Sequence, residues 1–96
     1  MSRLYSAEAE IDLEKIIEYT NKEYGAAQTL KYIDELEKNA ENMAENYGYY
    51  RELPDIHSRL RMKHCQKHYI FGVMRENEPM LVIAIFHERM QLMTRL

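Results

Sequence analysis

Residues 6–25, SAEAEIDLEKIIEYTNKEYG, carry Ala9, Leu13, Ile16, Ile17 and Tyr24 at helical spacing, a single apolar stripe on a 3.6-residue period. Ser6 is placed to cap the start, and Glu8 and Glu10 sit where a helix N-terminus favours negative charge. Gly25 interrupts the pattern. A second stripe follows at once through Ala26, Leu30, Ile33, Leu36, Ala40, Met43 and Tyr47, with Asn46 and Gly48 as stop signals. Two helices joined by so short a turn must run antiparallel, so residues 7–46 are predicted to form a helical hairpin.

The pattern then changes period. In 59-RLRMKH-64, Leu60 and Met62 alternate with Arg59, Arg61 and Lys63, which predicts a strand with one buried and one wet face. The runs 67-KHYIFGVMREN-77 and 79-PMLVIAIFHE-88 flank a polar turn of Glu76, Asn77 and Glu78, the layout of a hairpin. The last run is apolar at consecutive positions, as expected of an interior strand covered by helices. Short strands at 2–5 and near 49–53 complete a β-α-α-β-β-β order. The predicted fold class is α+β, an N-terminal helical hairpin packed on one face of an antiparallel sheet, with residues 1–96 as a single domain.

Composition supports this picture and narrows the function. With 46% hydrophobic and 30% charged residues the chain has the makings of a packed globule. The longest apolar run, residues 79–86, is too short to cross a bilayer, and the early acidic residues are unlike a secretory leader. Cys65 has no cysteine partner, which with these features points to a reducing, cytoplasmic setting and to no membrane association. Net charge is -3, unevenly divided. Residues 1–50 hold five Lys/Arg against eleven Asp/Glu, and residues 51–96 hold eight against five. The C-terminal half therefore offers a basic surface to an acidic segment or a phosphate backbone.

Three groups of residues can carry chemistry. Arg59, Arg61 and Lys63 are expected about 7 Å apart along one strand face, near the spacing of successive phosphates or of carboxylates on a partner strand. The same charges can simply keep a sheet edge soluble. His64 and His68 have an H-x3-H spacing, but across a strand and turn they do not converge, so neither a metal site nor a cofactor is expected. His87, Glu88 and Arg89 close the last strand and, with Arg61 and Lys63, supply the residue types of a ribonuclease. Strand alternation, however, sends His87 and Glu88 to opposite faces. The end segment 89-RMQLMTRL-96 offers methionines, side chains suited to adaptable contacts.

Several of these positions recur together in order. Ala9, Asp12, Leu13, Ile16 and Tyr19; Gly25, Gln28, Tyr32 and Leu36; Ala44, Glu45 and Asn46; Leu60 and Arg61; His68, Ile70 and Phe71; and His87 with Met90 make a pattern that resembles the RelE/ParE superfamily of bacterial toxins, the ParE branch in particular. The chain departs from the usual pattern at Tyr47, at Tyr49-Tyr50-Arg51, at Gly72 after Ile70-Phe71, and at Gln91.

The resemblance implies a RelE/ParE-like fold and the toxin of a type II toxin–antitoxin pair. Its expected partner is a cognate ParD-like antitoxin, a ribbon-helix-helix DNA-binding domain with a disordered tail that folds on the toxin. The expected assembly is a hetero-oligomer that meets operator DNA only through the antitoxin. ParE-like members act on DNA gyrase and block replication, whereas RelE-like members are ribosome-dependent mRNA endonucleases. The chain has no tyrosine after Tyr69, and its net negative charge is unlike that of a ribosome-docking nuclease. The gyrase branch is therefore expected, with no catalytic residues. The surface seen by gyrase or antitoxin is assigned to Arg59, Arg61, Lys63, His87, Arg89 and Met90. The nuclease alternative assigns His87 as base or acid with Arg61 and Lys63 as phosphate clamps, and a third alternative is a non-toxic antitoxin-binding module.

Overall fold

A computed structural model of the chain describes residues 3–45, 51–52 and 59–89. The element order is β1 (Arg3–Tyr5), α1 (Ala7–Tyr24), α2 (Ala26–Glu45), β2 (Arg51–Glu52), β3 (Leu60–Cys65), β4 (His68–Arg75) and β5 (Glu78–His87). The predicted α+β class is observed, and the order β-α-α-β-β-β-β, with the two-residue β2 counted, has one strand more than the expected β-α-α-β-β-β. The expected stop of the second helix at Asn46 and Gly48 lies outside the described residues, as do Met90 and the segment after it.

Local chemistry explains the helical hairpin. The Ser6 hydroxyl accepts from the Ala9 N–H at 3.1 Å and so satisfies one of the free donors at the start of α1. Gly25 ends α1 with its N–H on the Asn21 carbonyl at 3.0 Å, at φ 88 and ψ 171. That region is open essentially to glycine alone. The Gly25 carbonyl then receives the backbone N–H and the side-chain hydroxyl of Thr29, at 3.1 and 2.8 Å. One residue thus closes one helix and begins the next.

The sheet has five strands in the order β1-β5-β4-β3-β2. Four of them pair antiparallel, as expected, and β1 adds in parallel beside Met80–Val82 at the edge of β5, which makes the sheet mixed. The β3–β4 and β4–β5 hairpins turn through Gln66-Lys67 and Glu76-Asn77, with Gln66 at φ 55 and Asn77 at φ 60. α1 packs chiefly on β5, and α2 on β3 and β4.

Between helices and sheet lies a core of Ala9, Ile16, Leu36, Ala40 and Met43 against Cys65, Ile70, Met80, Val82 and Ile85. A second cluster, Leu60, Phe71, Ala84 and Phe86, is buried on the other face. β5 is thus buried on both faces, which accounts for its continuous apolar run. Gly72 belongs to the helix-side packing. A Cβ there would lie 2.6 Å from the Sδ of fully buried Met80, so the methionine occupies the room that a larger residue would need.

One irregularity in β5 decides where its far end points. Phe71 pairs with Ala84 but Gly72 pairs with Val82, so Ile83 is an extra residue, a β-bulge. Val82 and Ile85 consequently share the helix side although they are three apart, and Ile83 and Ala84 both belong to the opposite cluster. α1 holds this distortion in place. The Ser6 N–H donates to the Val82 carbonyl at 2.9 Å and the Ser6 hydroxyl to the Ile83 carbonyl at 3.3 Å. The Ile85 N–H donates to Asp12 Oδ2 at 3.0 Å, in a site where Asp12 is only 5% exposed.

Two stability measurements check these statements. Gly25→Ala meets no steric obstacle, since nothing lies within 4 Å of the added carbon. Its cost is the backbone conformation alone, about 1–3 kcal/mol in urea unfolding. Asp12→Ala strands the buried Ile85 donor and should cost about 1–3 kcal/mol, while Asp12→Asn keeps an acceptor and should cost clearly less. Equal losses for Ala and Asn at position 12 would mean that the Ile85 contact is not what Asp12 contributes.

Candidate functional site

The apolar stripes predicted at the hairpin tip do not all reach the sheet. Ile17 and Tyr24 of α1 are exposed, and Leu30 of α2 is 74% exposed. Residues 21–28 are exposed throughout. The tip of the hairpin overhangs the end of the sheet, and the space beneath it is a cleft of about 540 Å³. Its helical wall carries Tyr19, Thr20, Tyr24, Gln28 and Tyr32; its sheet wall carries Gln66, Lys67, His68, Ile85 and His87. Such a volume is typical of ligand and anchor-residue sites.

His87 reaches this cleft because of the bulge. Had the alternation of Met80 and Val82 continued unbroken, position 87 would face the other side of the sheet. Instead His68, Ile70, Ile85 and His87 share the helix side, and the two imidazoles meet edge to face with centroids 5.3 Å apart. The Tyr32 oxygen accepts from the Lys67 N–H at 3.4 Å, and its hydroxyl shares a hydrogen bond with His68 Nδ1 at 2.6 Å. The Arg89 N–H donates to His87 Nδ1 at 3.2 Å. His87 thus uses Nδ1 as an acceptor, which in the neutral form leaves its proton on Nε2. Burial, reinforced by the neighbouring His87, lowers the pKa of His68 to about 4, and burial raises that of Tyr32. The cleft floor is therefore uncharged near neutral pH at His68 and Tyr32, with Lys15 and Lys67 among its lining residues.

The opposite face receives Glu88, as alternation requires. It meets His64 at 3.1 Å (Nε2 to Oε2), and His64 stacks on Tyr69 with centroids 4.6 Å apart. His64 and His68 thus lie on opposite faces. Among the described residues no group of three or more His, Cys, Asp and Glu side chains is placed to hold a metal ion.

The basic strand needs correcting. Arg61 and Lys63 alternate with Leu60 and Met62, as predicted, but the face they share with Cys65 is the one that α2 covers, so it is not a wet face. Arg61 is only 8% exposed, with Nη1 on its neighbour's carbonyl, the Leu60 oxygen, at 3.2 Å. Lys63 is half-buried, and Arg59 is exposed near Glu76. Simple alternation reported which residues share a face and could not report which face the helices choose.

The proposed nuclease trio is likewise not gathered. His87 lines the cleft under the hairpin, whereas Arg61 lines a separate hollow with Arg59 and Arg75, and Lys63 lines neither. Arg89 is exposed at the end of β5. Sequence reasoning had singled out Tyr32 only as a member of a familiar pattern, and His68 as a member of that pattern and of the H-x3-H spacing. Their direct contact, bridging α2 and β4, is the signal that pattern contained.

With the geometry in hand, the comparisons with known proteins are direct. Residues 4–92 match the model of the family described as the ParE toxin of type II toxin–antitoxin system, parDE. The chain is 47% identical over 93 residues to Toxin ParE of Escherichia coli, covering 97% of this chain and 90% of that one. A solved structure described as the chromosomal ParDE TA system from P. aeruginosa superposes with a TM-score of 0.74 at 13% identity, over 91% of this chain and 95% of its counterpart. That structure shares the fold. The chain belongs to the ParE toxin family of type II toxin–antitoxin systems, a RelE/ParE-like α+β protein. No helix among the described residues is long and apolar enough to cross a membrane.

The low pKa of His68 sets a pH dependence. An unfolded histidine takes up its proton near pH 6.5, whereas folded His68 does so only near 4. The unfolded state therefore binds more protons in that window, and stability falls as pH drops from about 6.5 toward about 4. Thermal melts across this range should show a declining Tm with a shallower slope in His68→Phe. Identical slopes would assign the decline to other groups.

Proposed function

We propose that this ParE-family toxin acts by stoichiometric binding to DNA gyrase, blocking replication, and that a ParD-like antitoxin neutralises it by laying a tail segment into the cleft beneath the helical hairpin. The observation that carries the reading is the division of the basic and imidazole groups. His87 opens on one concavity and Arg61 on another, so a nuclease's base and phosphate clamps do not face one scissile bond. The net charge of -3 also disfavours docking on ribosomal RNA. The likeness to a Toxin ParE and to a ParDE system agrees with an antitoxin partner.

The cleft suits an amphipathic tail. Tyr19 and Tyr24 are mostly exposed, large and stiff, the kind of side chain that dominates binding energy once covered. Lys15 and Lys67 among the lining residues attract carboxylates on such a segment. A tail that orders on binding can cover the cleft and continue over further surface. His87 at the end of β5 and Arg89 just after it, Arg59 just before β3, Arg61 and Lys63 on β3, and Met90, which lies outside the described residues, remain the proposed contact residues for target or antitoxin, in a cytoplasmic setting.

A supercoiling assay with purified gyrase, run beside a translating extract, tests the reading. Excess toxin should abolish supercoiling, added antitoxin should restore it, and mRNA should stay intact. Cleaved mRNA with unaffected gyrase would replace this reading with the nuclease one, and His87→Ala would then be expected to remove the cleavage. Tyr19→Ala and Tyr24→Ala should each weaken antitoxin binding about tenfold, or about 1.4 kcal/mol, measured by calorimetry.

A further inference from the structure

The two helices hold eleven Asp/Glu against four lysines. The cleft beneath them has the opposite balance, since its described lining carries Lys15 and Lys67 against one carboxylate, Asp12. That carboxylate is engaged, because Asp12 Oδ2 accepts the Ile85 N–H at 3.0 Å. Glu88, the next acid along the chain from His87, is turned to the far face, where it meets His64 at 3.1 Å. The cleft is therefore locally cationic on an otherwise acidic hairpin.

His87 and Lys67 are neighbours on its sheet wall. His87 pairs with His68 across β5 and β4, and the Glu88 N–H donates to the Lys67 carbonyl at 2.8 Å, which sets Lys67 one place beyond that pair. The acceptors at this corner are already in use. The Tyr32 oxygen takes the Lys67 N–H and bonds His68 Nδ1, and His87 Nδ1 takes the Arg89 N–H. Donors are what is left. Neutral His87 carries its proton on Nε2, and among the described residues neither that N–H nor the Lys67 or Lys15 ammonium has a partner. Between them the floor is apolar, with Ile16 and Ile85 buried, and Tyr19 stands exposed at the side.

We propose that His87 Nε2 and the Lys67 ammonium clamp one carboxylate side chain of the antitoxin tail, with an apolar neighbour of that residue seated on Ile16, Ile85 and Tyr19. The proposal rests on the reading above that the tail enters this cleft, and it names the tail residue that sets the register. A corner with donors in excess and a net positive charge selects a group that only accepts, and a carboxylate is that group. His87 is half-buried, so a hydrogen bond there is stronger than one in open water. A nucleic-acid strand fits poorly, because its next phosphates would run past the glutamates of the hairpin. The same glutamates repel an acidic tail residue placed anywhere else along the helices. One alignment of the tail thus satisfies the clamp and avoids the repulsion.

Calorimetry of the full-length toxin with its full-length antitoxin tests this, each acidic residue of the antitoxin tail being changed in turn to its amide. One such change should weaken binding to wild type about tenfold and have no further effect on Lys67→Met. Lys67→Met and His87→Ala should each weaken binding about tenfold, whereas His87→Gln, which keeps a donor near the place of Nε2, should restore most of the loss. Lys67 is exposed, and its replacement leaves the backbone N–H that Tyr32 accepts, so the fold is not at stake there. Lys38→Gln, whose ammonium pairs with Asp34 on α2, should leave the affinity unchanged. Tyr19→Ala and Tyr24→Ala on the same samples separate the clamp from the reading it rests on. Loss at the tyrosines without loss at Lys67 and His87 would overturn the clamp and leave the tail in the cleft, and no loss at any of the four would remove both. Equal losses in His87→Gln and His87→Ala, or the absence of a tail acid coupled to Lys67, would also overturn it. So would a single-stranded oligonucleotide that displaces the tail from wild type but not from Lys67→Met, since that outcome assigns the corner to phosphate.

Discussion

β1 reaches only to Val82, so the edge of β5 beyond it needs partners for its backbone groups, and α1 supplies them. Ser6 takes up the Val82 and Ile83 carbonyls, and Asp12 accepts the Ile85 N–H. A buried backbone donor left unpaired costs about as much as one or two ordinary hydrogen bonds contribute, so these contacts fix where α1 can lie. They also stabilise the bulge at Ile83, where two side chains in succession face away from the helices. The rest of the site follows from that one phase shift. Ile85 returns to the core, His87 enters the cleft, and Glu88 goes to the far face to meet His64.

The cleft lies between the tip half of the hairpin and the end of the sheet at residues 66–68. Ala9, Ile16, Leu36, Ala40 and Met43 are spent on the core, and beyond them the helices run out over open space. The exposed Tyr19, Tyr24 and Leu30 are surplus to folding, which is what a surface reserved for a partner looks like. Tyr32 and His68 tie the overhang to the sheet by a short hydrogen bond, and burial keeps that imidazole neutral so that the cleft floor needs no counterion.

Family membership and fold are conserved by different means. A relative at 47% identity and a solved structure at 13% identity share the architecture, because the requirement is a pattern of buried positions on two helices and a sheet. Gly72 illustrates the freedom within it. At Gly72, where the chain departs from the family pattern, the buried Met80 fills the room beside the backbone, and an unbranched thioether can take that shape.

Period alone was enough to place the elements. The stripe of 3.6 residues, the glycine at position 25, the switch to alternation at residue 59 and the polar turn at Glu76-Asn77 are local properties, and the structure puts α1, α2, β3, β4 and β5 where they predict. Alternation also separated His87 from Glu88 correctly. It could not find the parallel pairing of β1 with β5, since that contact joins the two ends of the chain and has no local signature. Nor could it find the bulge, because a run apolar on both faces reads the same with or without an extra residue. For the same reason the side of β3 that faces α2 was undetermined, and Arg61 was read as wet when packing covers it. Residue types and their spacing were legible in the chain; which of them meet was decided by the register of distant strands and by the reach of two helices past the end of their sheet.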